Sequence, residues 1–135
     1  MTRPKILLLE RTAAARDAMR KLLESENCEV VSSGTFAESL SEIYEQQNFD
    51  VLITNLKTQR ADDHPKLVTA IRAFKPECLL VAVSDFLDIE EAKLAVRLEA
   101  DFIVKPSNVK QVAEFLYART AKTESFPSSE AFGSS

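Results

Sequence analysis

Five short apolar runs alternate with five amphipathic segments along the 135 residues, and that alternation constrains the fold more than any other feature. The runs are KILLL at 5–9, EVVS at 29–32, DVLIT at 50–54, LLVAV at 79–83 and DFIV at 101–104. Strict alternation of strands and helices demands parallel strands joined by right-handed crossovers. An uninterrupted apolar run such as Val51-Leu52-Ile53 marks a strand covered on both faces, as in the middle of a parallel sheet. The segments between follow a helical period. Thr12 is placed to cap a helix reaching about Ser25, with Ala15, Met19 and Leu22 on one face and Asn27 closing it in the left-handed conformation. Thr35 and Glu38 form a capping box ahead of Phe36, Leu40 and Ile43. Over residues 65–74 the inward positions are Leu67, Ile71 and Phe74, and Pro76 ends the pattern. Ile89, Ala92 and Val96 recur at helical spacing over 88–98. Ser107 is placed to cap a last helix over 108–121, built on Val109, Val112 and Leu116.

These elements predict an α/β domain: a doubly wound, five-stranded parallel sheet of flavodoxin-like (βα)5 type, strand order 2-1-3-4-5. The domain spans residues 1–121, and the Ser-rich stretch 122–135 is too poor in apolar residues to order itself, so it reads as a flexible tail or linker. Gly34 is the single glycine before that stretch, so turns that usually rely on glycine must use other residues. The net charge of −4 and the lack of a basic cluster argue against nucleic acid and anionic membrane as partners. No apolar run approaches the roughly 20 residues of a membrane span, and the N-terminus lacks the apolar core of a signal peptide, so a cytoplasmic protein is expected. Cys28 and Cys78 match no metal spacing. They precede strands three positions apart in the predicted sheet, roughly 14 Å at about 4.8 Å per strand, too far for a disulfide.

In open α/β sheets chemistry sits beyond the carboxyl ends of the strands. The polar residues there are Glu10 and Arg11 after the first strand, Asn55 closing the third, Ser84 after the fourth and Lys105-Pro106 after the fifth. The predicted strand order brings these five side chains to one sheet edge, where acid, hydroxyl and lysine together suggest a site that handles phosphoryl groups.

With these residues in place the sequence resembles the receiver domains of bacterial two-component response regulators. The resemblance covers about residues 4–120 and rests on KILLLER, FDVLITNL, LLVAVSD and, most specifically, ADFIVKPSN. It implies an acidic pair that helps hold Mg²⁺ after the first strand, an Asp accepting the phosphoryl group at the end of the third, and a hydroxyl and a lysine that bind it. Carried over, the acidic pair falls on Glu10 and Arg11, the phosphoacceptor on Asn55, the hydroxyl on Ser84, the lysine on Lys105 and the switch aromatic on Phe102. It also implies a partner face formed by the fourth helix, fifth strand and fifth helix. There Glu90, Glu91, Lys93, Arg97, Lys110, Glu114 and Arg119 make a mixed-charge surface.

The departures from the family pattern point one way. An amide offers no anionic oxygen to phosphorylate. Glu10, Arg11, Asn55 and Lys105 carry a net +1, so Mg²⁺ binding is expected to be lost, with the Arg11 guanidinium in the metal position against Glu10 or the Asn55 carbonyl. The loop at 57–63 lacks the Pro and Gly usual in this family. His64, the only histidine, stands in that charged loop and is expected to be exposed. The reading is a pseudo-receiver: not an enzyme, without cofactor, metal or catalytic residue, acting in a two-component-type pathway by docking to a protein partner or a second copy. Two alternatives stay open. One is a phosphorylatable regulator using another acid, Glu10 or Asp85. The other is a small flavodoxin-like enzyme or cofactor binder, against which stand the missing glycine-rich phosphate loop and the lack of a Ser-His or Cys-His pair.

Overall fold

The computed structural model describes residues 3–57 and 62–125, with side chains through residue 118. The strands are β1 (Lys5–Leu9), β2 (Glu29–Ser33), β3 (Val51–Asn55), β4 (Leu79–Val83) and β5 (Phe102–Val104). The helices are α1 (Ala13–Ser25), α2 (Phe36–Gln46), α3 (Asp63–Phe74), α4 (Ile89–Arg97) and α5 (Lys110–Ser125), with a 3-10 turn at Pro106–Asn108. All strand pairs are parallel and the sheet order is β2-β1-β3-β4-β5, the doubly wound arrangement the alternation predicts.

Side chains alternate across each strand, so the continuous apolar runs feed two cores. Leu7, Leu9, Leu52 and Leu80 pack with Ile43 of α2, Leu67 and Ile71 of α3, and Ala95 of α4. Ile6, Leu8, Val51, Ile53, Val81 and Val83 pack on the other face with Met19 and Leu23 of α1, with Val109 just before α5, and with Val112 and Leu116 of α5. Cys28 and Cys78 are free and buried. Their strands stand three steps apart, as expected.

Several elements depart from the sequence pattern, each for a local reason. The third and fifth strands begin one residue later than predicted, and the aspartate before each bonds a neighbouring strand through both backbone and side chain. Asp50 accepts the Lys5 N–H at 2.8 Å and pairs with Lys75. Asp101 accepts the Leu80 N–H at 2.8 Å and pairs with Arg72. Thr12 occupies the cap position of α1, but its side chain makes no capping bond. Instead the Thr12 N–H donates to Glu10 Oε2 at 2.9 Å. Met19 and Leu23 are fully buried on α1, while Leu22 is only half-buried. Phe74 stays partly exposed, edge-on to Tyr44 at 5.6 Å between ring centres. Ser107 lies inside the 3-10 turn that Pro106 opens, so it caps nothing, and α5 starts at Lys110 and continues to Ser125.

The largest departure is in α4. The predicted inward stripe faces out, with Ile89 69% and Val96 76% exposed, and the inward residues are Glu91, Ala95 and Leu98. Turns without glycine place Asn27, Gln47, Leu87 and Glu99 at φ between 55° and 62°. The Thr35 hydroxyl accepts the Glu38 N–H at 3.1 Å, as a capping box requires, while the Glu38 carboxylate takes the Gly34 N–H at 2.8 Å. Residues 58–61 of the charged loop and 126–135 of the predicted tail lie outside the described residues.

Candidate functional site at the carboxyl edge of the sheet

The register aligns Leu9 with Ser33 and Thr54, so Glu10 and Asn55 leave the sheet side by side. Both are buried, Glu10 4% and Asn55 6% exposed. Asn55 Nδ2 donates to Glu10 Oε1 at 2.7 Å, and the Lys57 N–H donates to Asn55 Oδ1 at 2.9 Å. Glu10 Oε2 accepts the Thr12 N–H, and its backbone carbonyl accepts Arg16 Nη1 at 2.8 Å. The carboxylate thus has a partner on each oxygen and the amide has one on each end, a closed set for two buried polar groups. A Cβ at Gly34 would meet Arg16 Nη1 at 2.7 Å, so this glycine serves to leave room for the guanidinium.

Ser84 is fully buried at the end of β4. Its hydroxyl donates to Glu91 Oε1 and accepts the Leu87 N–H at 2.8 Å. Glu91 Oε2 pairs with Lys57 Nζ at 3.2 Å, and that ammonium lies 4.8 Å from the centre of the Phe86 ring. Lys57 therefore touches both halves of the site, holding Asn55 through its backbone and Glu91 through its side chain.

Arg11 and Lys105 stand at the same edge but are exposed. The carboxylate of Glu10 and the carbonyl of Asn55 hold Thr12, Asn55 and Lys57 donors. Among the described residues the Lys105 side chain makes no hydrogen bond or ion pair. Phe102 is half-buried and meets Phe115 edge to face at 4.8 Å, on the face of α4, β5 and α5.

His64 is buried, not exposed. Its Nε2 lies 3.4 Å from the Leu56 carbonyl and its Nδ1 3.4 Å from Thr54 Oγ1. A carbonyl only accepts, so Nε2 is the donor in the contact with Leu56. The first turn of α3 folds this residue back under the end of β3, which the charge of the loop concealed. Glu91 and Lys57 are the other residues that sequence reasoning missed as part of the site. The one signal for Glu91 is its place three residues after Asp88, whose carboxylate accepts the Glu91 N–H at 2.9 Å. Among the described residues no group of three or more His, Cys, Asp or Glu is arranged to hold a metal ion. Among the same residues no helix is long and apolar enough to cross a membrane.

The family described as the response regulator receiver domain matches residues 6–117, and the chain belongs to it. The fold is shared with a CheY-like receiver domain protein from Methanospirillum hungatei JF-1, at 22% identity and TM-score 0.69, covering 92% of this chain and 98% of that one. The REC domain of AraT, a response regulator from Geobacillus stearothermophilus, is similar at 21% identity and TM-score 0.71, covering 91% and 99%. A receiver protein from Pseudomonas putida is 24% identical with a TM-score of 0.68, covering 87% and 98%. No curated protein matches the chain. It is thus a receiver domain of the two-component type, a signalling module that works through other proteins.

Proposed function

We propose that this receiver does not take up a phosphoryl group and acts as a docking or dimerisation module. The observation that carries the reading is the bond from Asn55 Nδ2 to Glu10 Oε1 at 2.7 Å. At the position where the family pattern calls for a nucleophilic carboxylate stands a neutral amide, buried and bonded at both ends. Mg²⁺ does not fit these residues either. It takes hard oxygen ligands, and the Glu10 carboxylate already has both oxygens engaged, beside an arginine where a second acid would stand. The domain carries out no reaction of its own and works in the cytoplasm. Its partner, a protein or a second copy, meets the face of α4, β5 and α5, where Ile89, Val96, Ile103 and Phe115 are exposed.

The test is intact mass after incubation with Mg²⁺ and a small-molecule phosphodonor, beside an Asn55→Asp variant. The wild type stays unmodified. A phosphorylated wild type, whether on Glu10, Asp85 or another acid, overturns the reading, and mapping the modified residue names the acceptor.

A further inference from the structure

Helix α4 is folded against its own pattern. At about 100° per residue, a rotation of roughly a third of a turn would bury Ile89, Ala92 and Val96. The structure instead buries a glutamate, 6% exposed, and leaves Ile89 and Val96 in solvent. Burying a carboxylate is unfavourable unless bonds and charge compensate it, so whatever holds Glu91 must also hold the helix.

Every contact of that carboxylate leads back to the strand ends. Glu91 Oε1 takes the Ser84 hydroxyl, and Oε2 faces Lys57 Nζ at 3.2 Å without a hydrogen bond of good geometry. Ser84 in turn holds the Leu87 N–H at 2.8 Å, fixing a leucine at φ 55°, a conformation that residues other than glycine rarely adopt. Lys57 is tied through its N–H to Asn55 Oδ1 at 2.9 Å. The chain Asn55–Lys57–Glu91–Ser84–Leu87 therefore runs unbroken from the end of β3 to the start of α4.

We propose that Glu91 is an internal latch: its buried carboxylate bridges Ser84 and Lys57 and fixes the rotation of α4 so that its apolar stripe stays outward. The proposal deepens the docking reading, on which it rests, by naming what keeps the docking face presented without any covalent signal. Glu91 acts here as a positioning residue. Its contribution is orientation of the helix, through the carboxylate held between Ser84 and Lys57.

The test is amide hydrogen exchange, followed by mass spectrometry, on the full chain and on Glu91→Ala, Glu91→Gln and Ser84→Ala. Glu91→Ala should speed exchange of residues 92–98 at least tenfold, with peptides from β1 and α1 unchanged. Glu91→Gln keeps an acceptor for Ser84 but loses the charge facing Lys57, and should give a smaller increase, about threefold, in the same residues. Unchanged exchange over 92–98 in Glu91→Ala overturns the latch. So does an equal acceleration in β1 and α1, which would make Glu91 an ordinary packing residue. Should Glu91→Ala fail to fold, Glu91→Gln and Ser84→Ala are judged by the same two comparisons. The readout uses no phosphodonor and no partner, so a phosphorylated wild type would overturn the proposed function while exchange still judged the latch.

Discussion

Restoring an acid at the end of β3 is the most direct perturbation of this site, and the structure sets its magnitude. In Asn55→Asp a carboxylate replaces an amide whose nitrogen lies 2.7 Å from Glu10 Oε1, with both residues buried. Two unit charges at that distance repel by about 6 kcal/mol at an effective dielectric constant of about 20. The folded variant can avoid this by holding one proton on the pair. Against an ordinary carboxyl pKa of about 4, holding it at pH 7.5 costs about 5 kcal/mol at 1.36 kcal/mol per pH unit. Protonation is thus the cheaper route and sets the ceiling, and the variant should lose about 3–5 kcal/mol of unfolding free energy at pH 7.5 without metal.

The pH dependence follows from that proton. In the variant the folded pair holds a proton that the unfolded chain releases above about pH 4, so the penalty is absent below that pH and grows as pH rises above it. Urea unfolding at pH 4.5 should therefore bring variant and wild type within about 1.5 kcal/mol of each other. Swapping the two groups, Glu10→Gln with Asn55→Asp, should return most of the loss at pH 7.5. The new amide would donate to Asp at 55 and its oxygen would accept the Thr12 N–H, restoring every partner. A single variant as stable as the wild type at pH 7.5 refutes the reasoning, and so does a swap that recovers nothing.

Two further outcomes follow from burial. Ala95→Glu should cost about 3 kcal/mol or more in urea unfolding, whereas Val96→Glu, one residue on, should stay within about 0.5 kcal/mol; Ala95 faces the core and Val96 solvent, and equal costs would mean that α4 is rotated otherwise. Burial pushes the Cys28 thiol up to about 11 and Cys78 up to about 12, so a disulfide thiol probe at pH 8.5 should find neither in the folded protein and both in denaturant. Since the unfolded thiols ionise near pH 8.5, this contribution to stability is fully present below that pH and is lost as pH climbs toward 11–12. Replacing both cysteines by alanine should flatten that part of the pH profile.

Sequence was legible where one force dominates. The apolar runs gave the sheet and its order, because a strand covered on both faces needs little beyond continuous apolar side chains. Val109, just before α5, and Val112 and Leu116 within it face inward as their spacing predicts. Asn55 and Glu10 were legible as neighbours because register follows from strand order, and Ser84 because it closes β4. What no spacing revealed is the partner of each group. That Asn55 reaches Glu10, or that Lys57 reaches Glu91, depends on side-chain bonds across residues far apart in sequence.

The departures that involve caps and buried polar groups gather at one edge. Thr12, His64, Glu91 and Ser107 all lie just beyond the carboxyl ends of the strands, where helices begin and the candidate site sits. Toward the opposite edge β3 and β5 start one residue late, each after an aspartate that bonds a neighbouring strand, and Leu22 and Phe74 are less buried than their spacing predicts. Local propensity and global packing agree through the body of the domain and part company at one edge, as expected where a fold gives up local consistency for a site. Helix α4 shows the conflict most openly, because its hydrophobic period and its buried carboxylate cannot both face inward. The carboxylate does, and an apolar stripe on the partner face is left in solvent as the direct consequence.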